Sequence, residues 1–252
     1  MEELIAEISS SLKNWHRYEF IISLCLLLAV SVISYKMSDV VTKGAMNNKK
    51  TSEKNALGEY TVYIDPGHGG CDPGKIGKNN ILEKDINLCI SKRLKSSLQN
   101  KKINVKMTRE NDSGLYSDDD TNKKISDLRK RCEMVNKEYM NNNKTICISI
   151  HQNSYPKEEV YGPQVFYYSN SEDGRKLAYI MQNKINDIID IDRPRVQKDN
   201  NDYYLLVKTM CPTIIIECGF LSNPREAALL TDKSYQELMV KAITEGIEEY
   251  IK

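Results

Sequence analysis

The sequence has almost no net charge: 36 Lys and Arg stand against 35 Asp and Glu, a formal +1. It has no basic stripe interleaved with aromatic residues, so nucleic acid is not an expected partner. It has no CxxC pair, and its seven cysteines (Cys25, Cys71, Cys89, Cys132, Cys147, Cys211, Cys218) follow no spacing of a disulfide framework. Most lie in apolar runs, where a free thiol behaves as a small hydrophobe, so buried reduced cysteines are expected. With 12 Gly and 7 Pro in 252 residues, collagenous and low-complexity chains are excluded. A hydrophobic content of 40% excludes a wholly disordered one. No internal repeat is present.

One long apolar run stands near the start. Phe20–Tyr35 (FIISLCLLLAVSVISY) has no charge over sixteen residues. That is slightly short of the ~20 residues of a spanning helix, and no A-x-A cleavage pattern follows it. The expectation is an uncleaved signal anchor over residues 1–35, with a cleaved signal peptide, and hence an exported chain, as the alternative. Basic groups are sparse before the run (Lys13, Arg17) and frequent after it (Lys36, Lys43, Lys49, Lys50, Lys54). By charge alone that would set the downstream side in the cytoplasm. The expectation of export rests instead on the chemistry described below. Residues 36–58 lack hydrophobic period and are rich in Lys, Asn, Ser and Thr, as a flexible linker is. Residues 59–252 are ample for one well-filled core.

Within that stretch the hydrophobic period alternates between 2 and 3.6. Strands are expected at Thr61–Ile64, Ile103–Met107, Thr145–Ile150, Val165–Tyr168 and Thr213–Ile216. Helices are expected at Asp85–Leu98, around Ile125–Tyr139, around Leu177–Ile188 and over Ser234–Ile251. Asn223-Pro224-Arg225-Glu226 opens a further helix, with Asn as N-cap, Pro in the first turn and Glu reaching back as in a capping box. Strands alternating with helices predict an α/β class: a single α/β sandwich domain around a mostly parallel sheet.

The chain has only three histidines, and His16 precedes the apolar run. His68 and His151 each stand just beyond an expected strand, and Glu217 ends a third in the same way. In an open α/β sheet, ligands gather outside the carboxyl ends of the strands. Glu83, a few residues past the DPGHGG loop, is placed to join them. Two imidazoles, one carboxylate and a water form a common catalytic zinc donor set. A second carboxylate that is not a ligand is then needed to take and return a proton. Glu217, among apolar neighbours, suits that role. Each residue alone has a bland reading: a loop or strand-end histidine, or a helix-start carboxylate favoured by the dipole. Only the joint pattern carries weight.

Four ordered motifs, DPGHGG at 65–70, LEKD at 82–85, SIHQN at 149–153 and IIIECGFLSNPRE at 214–226, resemble the zinc-dependent N-acetylmuramoyl-L-alanine amidases of the type-3 family. The resemblance runs from about Tyr60 to the C-terminus. It implies an α/β sandwich with about six strands, Zn2+ held by His68, Glu83 and His151, and Glu217 as the catalytic residue. It implies peptidoglycan as substrate, cut between the lactyl group of N-acetylmuramic acid and the L-alanine of the stem peptide. Some members need an activator protein, so a partner protein is an expectation too. No wall-binding repeat is read here, and an anchored chain of this build is similar to the sporulation-type (CwlD-like) members, which act in making the spore cortex. The implied location is extracytoplasmic, at the membrane. Residues 109–124 (RENDSGLYSDDDTNKK) are more polar and acidic than the rest.

Two rival readings follow from the residues. A cysteine amidase would use Cys218 or Cys71 with His151. Side chains alternate along a strand, so Cys218 should point away from Glu217 if the strand continues that far. The other rival is a tethered module that grips peptidoglycan or a partner, with weak or activator-dependent catalysis.

Overall fold

The computed structural model describes Met1 and residues 27–28, 31–32, 34–38, 57–190 and 192–252. The chain divides into two units, 1–53 and 54–252. In the first, residues 27–28, 31–32 and 34–38 are helical, and Ser31 Oγ donates to the Leu28 carbonyl at 2.8 Å. Leu27, Leu28, Val32, Tyr35 and Met37 expose their side chains. The expected anchor and linker lie mostly outside the described residues. No helix among the described residues is long and apolar enough to cross a membrane.

In the second unit the β-branched runs assemble a six-stranded sheet. Its strands are β1 (Thr61–Pro66), β2 (Asn104–Met107), β3 (Thr145–Asn153), β4 (Gln164–Tyr167), β5 (Lys198–Asp199) and β6 (Thr213–Phe220). Their order is β2-β1-β3-β6-β4-β5. The first four in that order run parallel, β4 is antiparallel to β6, and β5 is parallel to β4. The helices are α1 (Glu83–Asn100), α2 (Lys123–Asn141), α3 (Glu172–Ile189), α4 (Tyr204–Lys208), α5 (Pro224–Thr231) and α6 (Lys233–Ile251). This is the mostly parallel α/β sandwich that the alternating periods predict.

Strand parity sorts the side chains between two layers. Val62 and Ile64 of β1, Ile146, Ile148 and Ile150 of β3, and Ile214, Ile216 and Cys218 of β6 share the larger core with α1, α3 and α6. Each such side chain stabilises the fold by about 1.5–3 kcal/mol. The opposite parity sends Tyr63 and Cys147 to a smaller cluster with Cys132 and Val135 of α2 and Leu205 of α4. Further along the same three strands, that parity carries Asp65, His151, Ile215 and Glu217 to one cleft. A one-residue slip of any strand would turn its contribution into the core, so the buried face fixes the register of the site.

The strands run further than their apolar stretches. β3 reaches Asn153 and β6 reaches Phe220, so His151 and Glu217 lie within strands and are paired in register. The reason is that backbone pairing between β3 and β6 continues past the last isoleucines. At α5, Asn223 caps as expected, accepting from the Glu226 amide at 3.0 Å. The expected capping box is not completed. The Glu226 carboxylate accepts instead from the amides of Phe220 (2.8 Å) and Gly162 (2.9 Å), tying the loop before β4 to the end of β6. All cysteines among the described residues are free, and four of the six are buried.

Candidate active site

β1 ends in Pro66, and the chain turns sharply through Gly67, His68, Gly69 and Gly70. His68 takes a left-handed backbone, φ 62°, and Gly69 and Gly70 follow at 133° and 59°. Gly67 is required by a close approach: a Cβ there would lie 2.2–2.7 Å from three atoms of the His151 ring. Gly74, at φ 67°, is equally constrained, since its Cβ would meet Glu83 Oε2 at 2.6 Å and His68 Cδ2 at 2.7 Å. The glycines of this loop therefore let two histidines and a glutamate converge.

The structure brings His68, Glu83 and His151 together, with one potential ligand atom from each within 4.8 Å of the others. Glu83 Oε1 lies 3.2 Å from His68 Nε2 and 3.0 Å from His151 Nδ1. The two imidazoles meet edge to face, 5.0 Å between centroids. Glu83 is the first residue of α1. Its carboxylate also accepts from the amides of Gln152 (3.0 Å) and Lys75 (2.7 Å). Burial opposes its charge, but the hydrogen bonds and charges of His151 and His68 outweigh that and hold it far below the usual carboxylate range. For His68, burial lowers basicity, yet hydrogen bonds to Glu83 and Asp72 raise it on balance.

Neighbouring groups orient these three. Asp72 lies 2.8 Å from His68 Nδ1, which leaves Nε2 directed at Glu83. Asn87, one turn along α1 from Glu83 and fully buried, donates to the Gly67 carbonyl (3.2 Å) and accepts from Gln152 Nε2 (3.0 Å). The 109–122 loop folds onto the histidine turn. Gly70 donates to Asp112, the Cys71 amide donates to Tyr116 Oη at 2.7 Å, and Lys84 Nζ bridges Asp112 (2.7 Å) and the Gly70 carbonyl (2.9 Å). Sequence reasoning did not find Asp72, Asn87 or these contacts. Asp72 and Asn87 carry a weak signal, standing four residues from His68 and Glu83.

Glu217 faces the same cleft, which measures about 440 Å³. It is 7% exposed, and its Oε2 has no hydrogen-bond partner among the described residues. Burial pushes its pKa up to about 7; Glu83 adds to the rise, while His151 and His68 moderate it. Tyr203 lines the cleft as well, and burial holds its phenol protonated, up to about 12. Cys218 points the other way into the core, as strand alternation predicts, and burial raises its thiol far above the ordinary value. Neither Cys218 nor Cys71 lines the cleft.

Two imidazoles and a carboxylate are a donor set suited to a borderline cation, and an unpartnered buried carboxylate oxygen beside them suits proton transfer. At the carboxyl ends of a parallel sheet, this is the equipment of a hydrolase. Residues 62–249 match the N-acetylmuramoyl-L-alanine amidase family (Amidase_3), and the chain belongs to that family. The germination-specific N-acetylmuramoyl-L-alanine amidase of Bacillus subtilis is 35% identical over 192 residues, 75% of this chain and 78% of that protein. Among solved structures, the CwlD amidase of Clostridioides difficile, in complex with the GerS lipoprotein, aligns with a TM-score of 0.71 at 37% identity. That alignment covers 76% of this chain and 98% of the other. An N-acetylmuramoyl-L-alanine amidase of Clostridium difficile 630 aligns at 0.66 and 32% identity, over 76% and 96%. Within the family the chain stands with the sporulation (CwlD-like) type.

Proposed function

We propose that this amidase cuts the bond between the lactyl carbonyl of N-acetylmuramic acid and the L-alanine nitrogen of peptidoglycan in a zinc-dependent reaction. His68, Glu83 and His151 hold the ion, and Glu217 is the catalytic acid–base. The observation that carries this reading is the convergence of the three donors beside a buried glutamate with a free oxygen. Zinc, when bound, polarises the scissile carbonyl and makes the attacking water acidic near neutral pH. Glu217 accepts the proton that the water gives up as it attacks, and donates it to the departing alanine nitrogen. Its raised affinity for a proton matches it to both halves of that transfer. Asp72 fixes the His68 ring, and Gln152 and Lys75 hold the Glu83 carboxylate with their amides.

In this reading residues 1–35 anchor the chain at the membrane, 36–58 are a linker, and 59–252 form the catalytic domain. The enzyme works outside the cytoplasmic membrane on the spore cortex. The germination-specific relative supports a role in the spore, and the lipoprotein complex of the C. difficile neighbour supports a partner protein. Mass analysis of fragments released from purified peptidoglycan by the full-length chain tests it. Stem peptides with a free L-alanine amine and an intact muramic acid are expected. Chelation should abolish their release, and zinc should restore it. Chelator-resistant cleavage that is blocked by thiol alkylation would return the cysteine mechanism.

A further inference from the structure

Two buried guanidinium groups meet beneath the histidine turn. Arg131, on the inner face of α2, is 2% exposed. Its Nη1 donates to Asp65 Oδ1 (2.6 Å) and the Pro66 carbonyl (2.7 Å), and its Nη2 donates to the His68 carbonyl (2.6 Å). Its Nε donates to Asp127. Arg109, just past β2, is also buried. Its Nε donates to the Pro66 carbonyl (3.0 Å), and its Nη2 donates to the carbonyls of Gly67 (3.0 Å) and Lys84 (2.9 Å). Three consecutive carbonyls, 66 to 68, thus accept from two cations. Arg109 also links them to the first turn of α1, next to Glu83.

Packing alone does not require this arrangement, because apolar side chains would fill the same space without desolvating two charges. What the arginines hold is a turn whose histidine has a positive φ, a conformation uncommon for a non-glycine residue. His68 is consequently fixed at both ends: its carbonyl by Arg131, and its Nδ1 by Asp72. We propose that Arg131 and Arg109 are positioning residues for the metal centre, clamping the 66–68 backbone so that the His68 imidazole stays directed at Glu83 and His151. This rests on the zinc reading above. Both arginines reach this turn through its backbone carbonyls, and Arg131, 2% exposed, also borders the cleft.

Competition with a chelator of known affinity measures zinc binding by the full-length chain. Arg131→Lys keeps a cation beside Asp65 but cannot fork to two carbonyls, and Arg109→Lys loses its fork in the same way. Both should bind zinc about 10–100-fold more weakly than wild type, at temperatures below their unfolding midpoints. Val135→Ala, a cavity in the cluster under α2, should lower the melting temperature and leave zinc affinity unchanged. The inference is overturned if both lysine variants bind zinc within about twofold of wild type, or if Val135→Ala weakens binding equally. If Arg131→Lys does not fold, Arg109→Lys carries the test. A wild-type chain that binds no zinc removes the zinc reading and this inference together; a zinc-binding wild type with unaffected variants removes this inference alone.

Discussion

Glu217 lies between Ile216 and Cys218, both directed into the core, so it alone of the three faces the cleft. Glu217→Gln keeps shape and removes the base, so turnover should fall about 10²–10⁴-fold while bound zinc, by metal analysis, stays at the wild-type level. Loss of zinc in that variant would make Glu217 a ligand. Gly67→Ala should act through the other side of the site, because its methyl group overlaps the His151 ring. We expect lost zinc and a destabilisation of about 1–3 kcal/mol, measurable by denaturant unfolding. That His68, Glu83, His151 and Glu217 meet at one cleft was legible in sequence because each sits in a short motif that follows an apolar run or opens a helix. Asp65, Arg109 and Arg131 were not. The arginines act on the carbonyls of residues 66–68 and Lys84, and Arg131 on Asp65, across 25 to 66 positions of chain, and no local pattern records that.

Two elements meet at Asp65 of β1 and Arg131 of α2, both buried. Burial alone would raise the Asp65 pKa, but the charge of Arg131 and hydrogen bonds from Thr108, Ser149 and Arg131 hold it near 2, against 3.8 unfolded. A depressed carboxylate stabilises the fold above its unfolded pKa and loses that contribution as pH falls through the folded one. Asp65 should therefore contribute about 2 kcal/mol at neutral pH, lost between about pH 4 and 2. Urea unfolding across that window checks it. Asp65→Asn should flatten this part of the acid dependence and destabilise the fold at pH 7, since Arg131 then keeps only the part-buried Asp127 as countercharge. The main strands and helices could be read from periodicity because their faces are buried in repeating fashion. β5, with two exposed residues, and α4, with five residues, are too short to display a period, and docking onto β4 and α2 creates them.

At the scale of the whole molecule, the apolar run at 20–35 and the catalytic domain make opposite demands. The lysines after the run favour the cytoplasm for the downstream side. A peptidoglycan substrate requires the outside. Full-length protein expressed in a Gram-positive host should resist carbonate extraction and be cut by protease added to protoplasts; protection would contradict the proposed topology. The fold and the amidase family need no settlement of that point, since both rest on residues 62–249. One zinc ion held by His68, Glu83 and His151 is the proposal on which the mechanism depends, and metal analysis of the purified full-length chain and its single-site variants tests it. One zinc per wild-type chain is expected, retained in Glu217→Gln and lost in His68→Ala, Glu83→Gln and His151→Ala. Full zinc content in those three variants would contradict it.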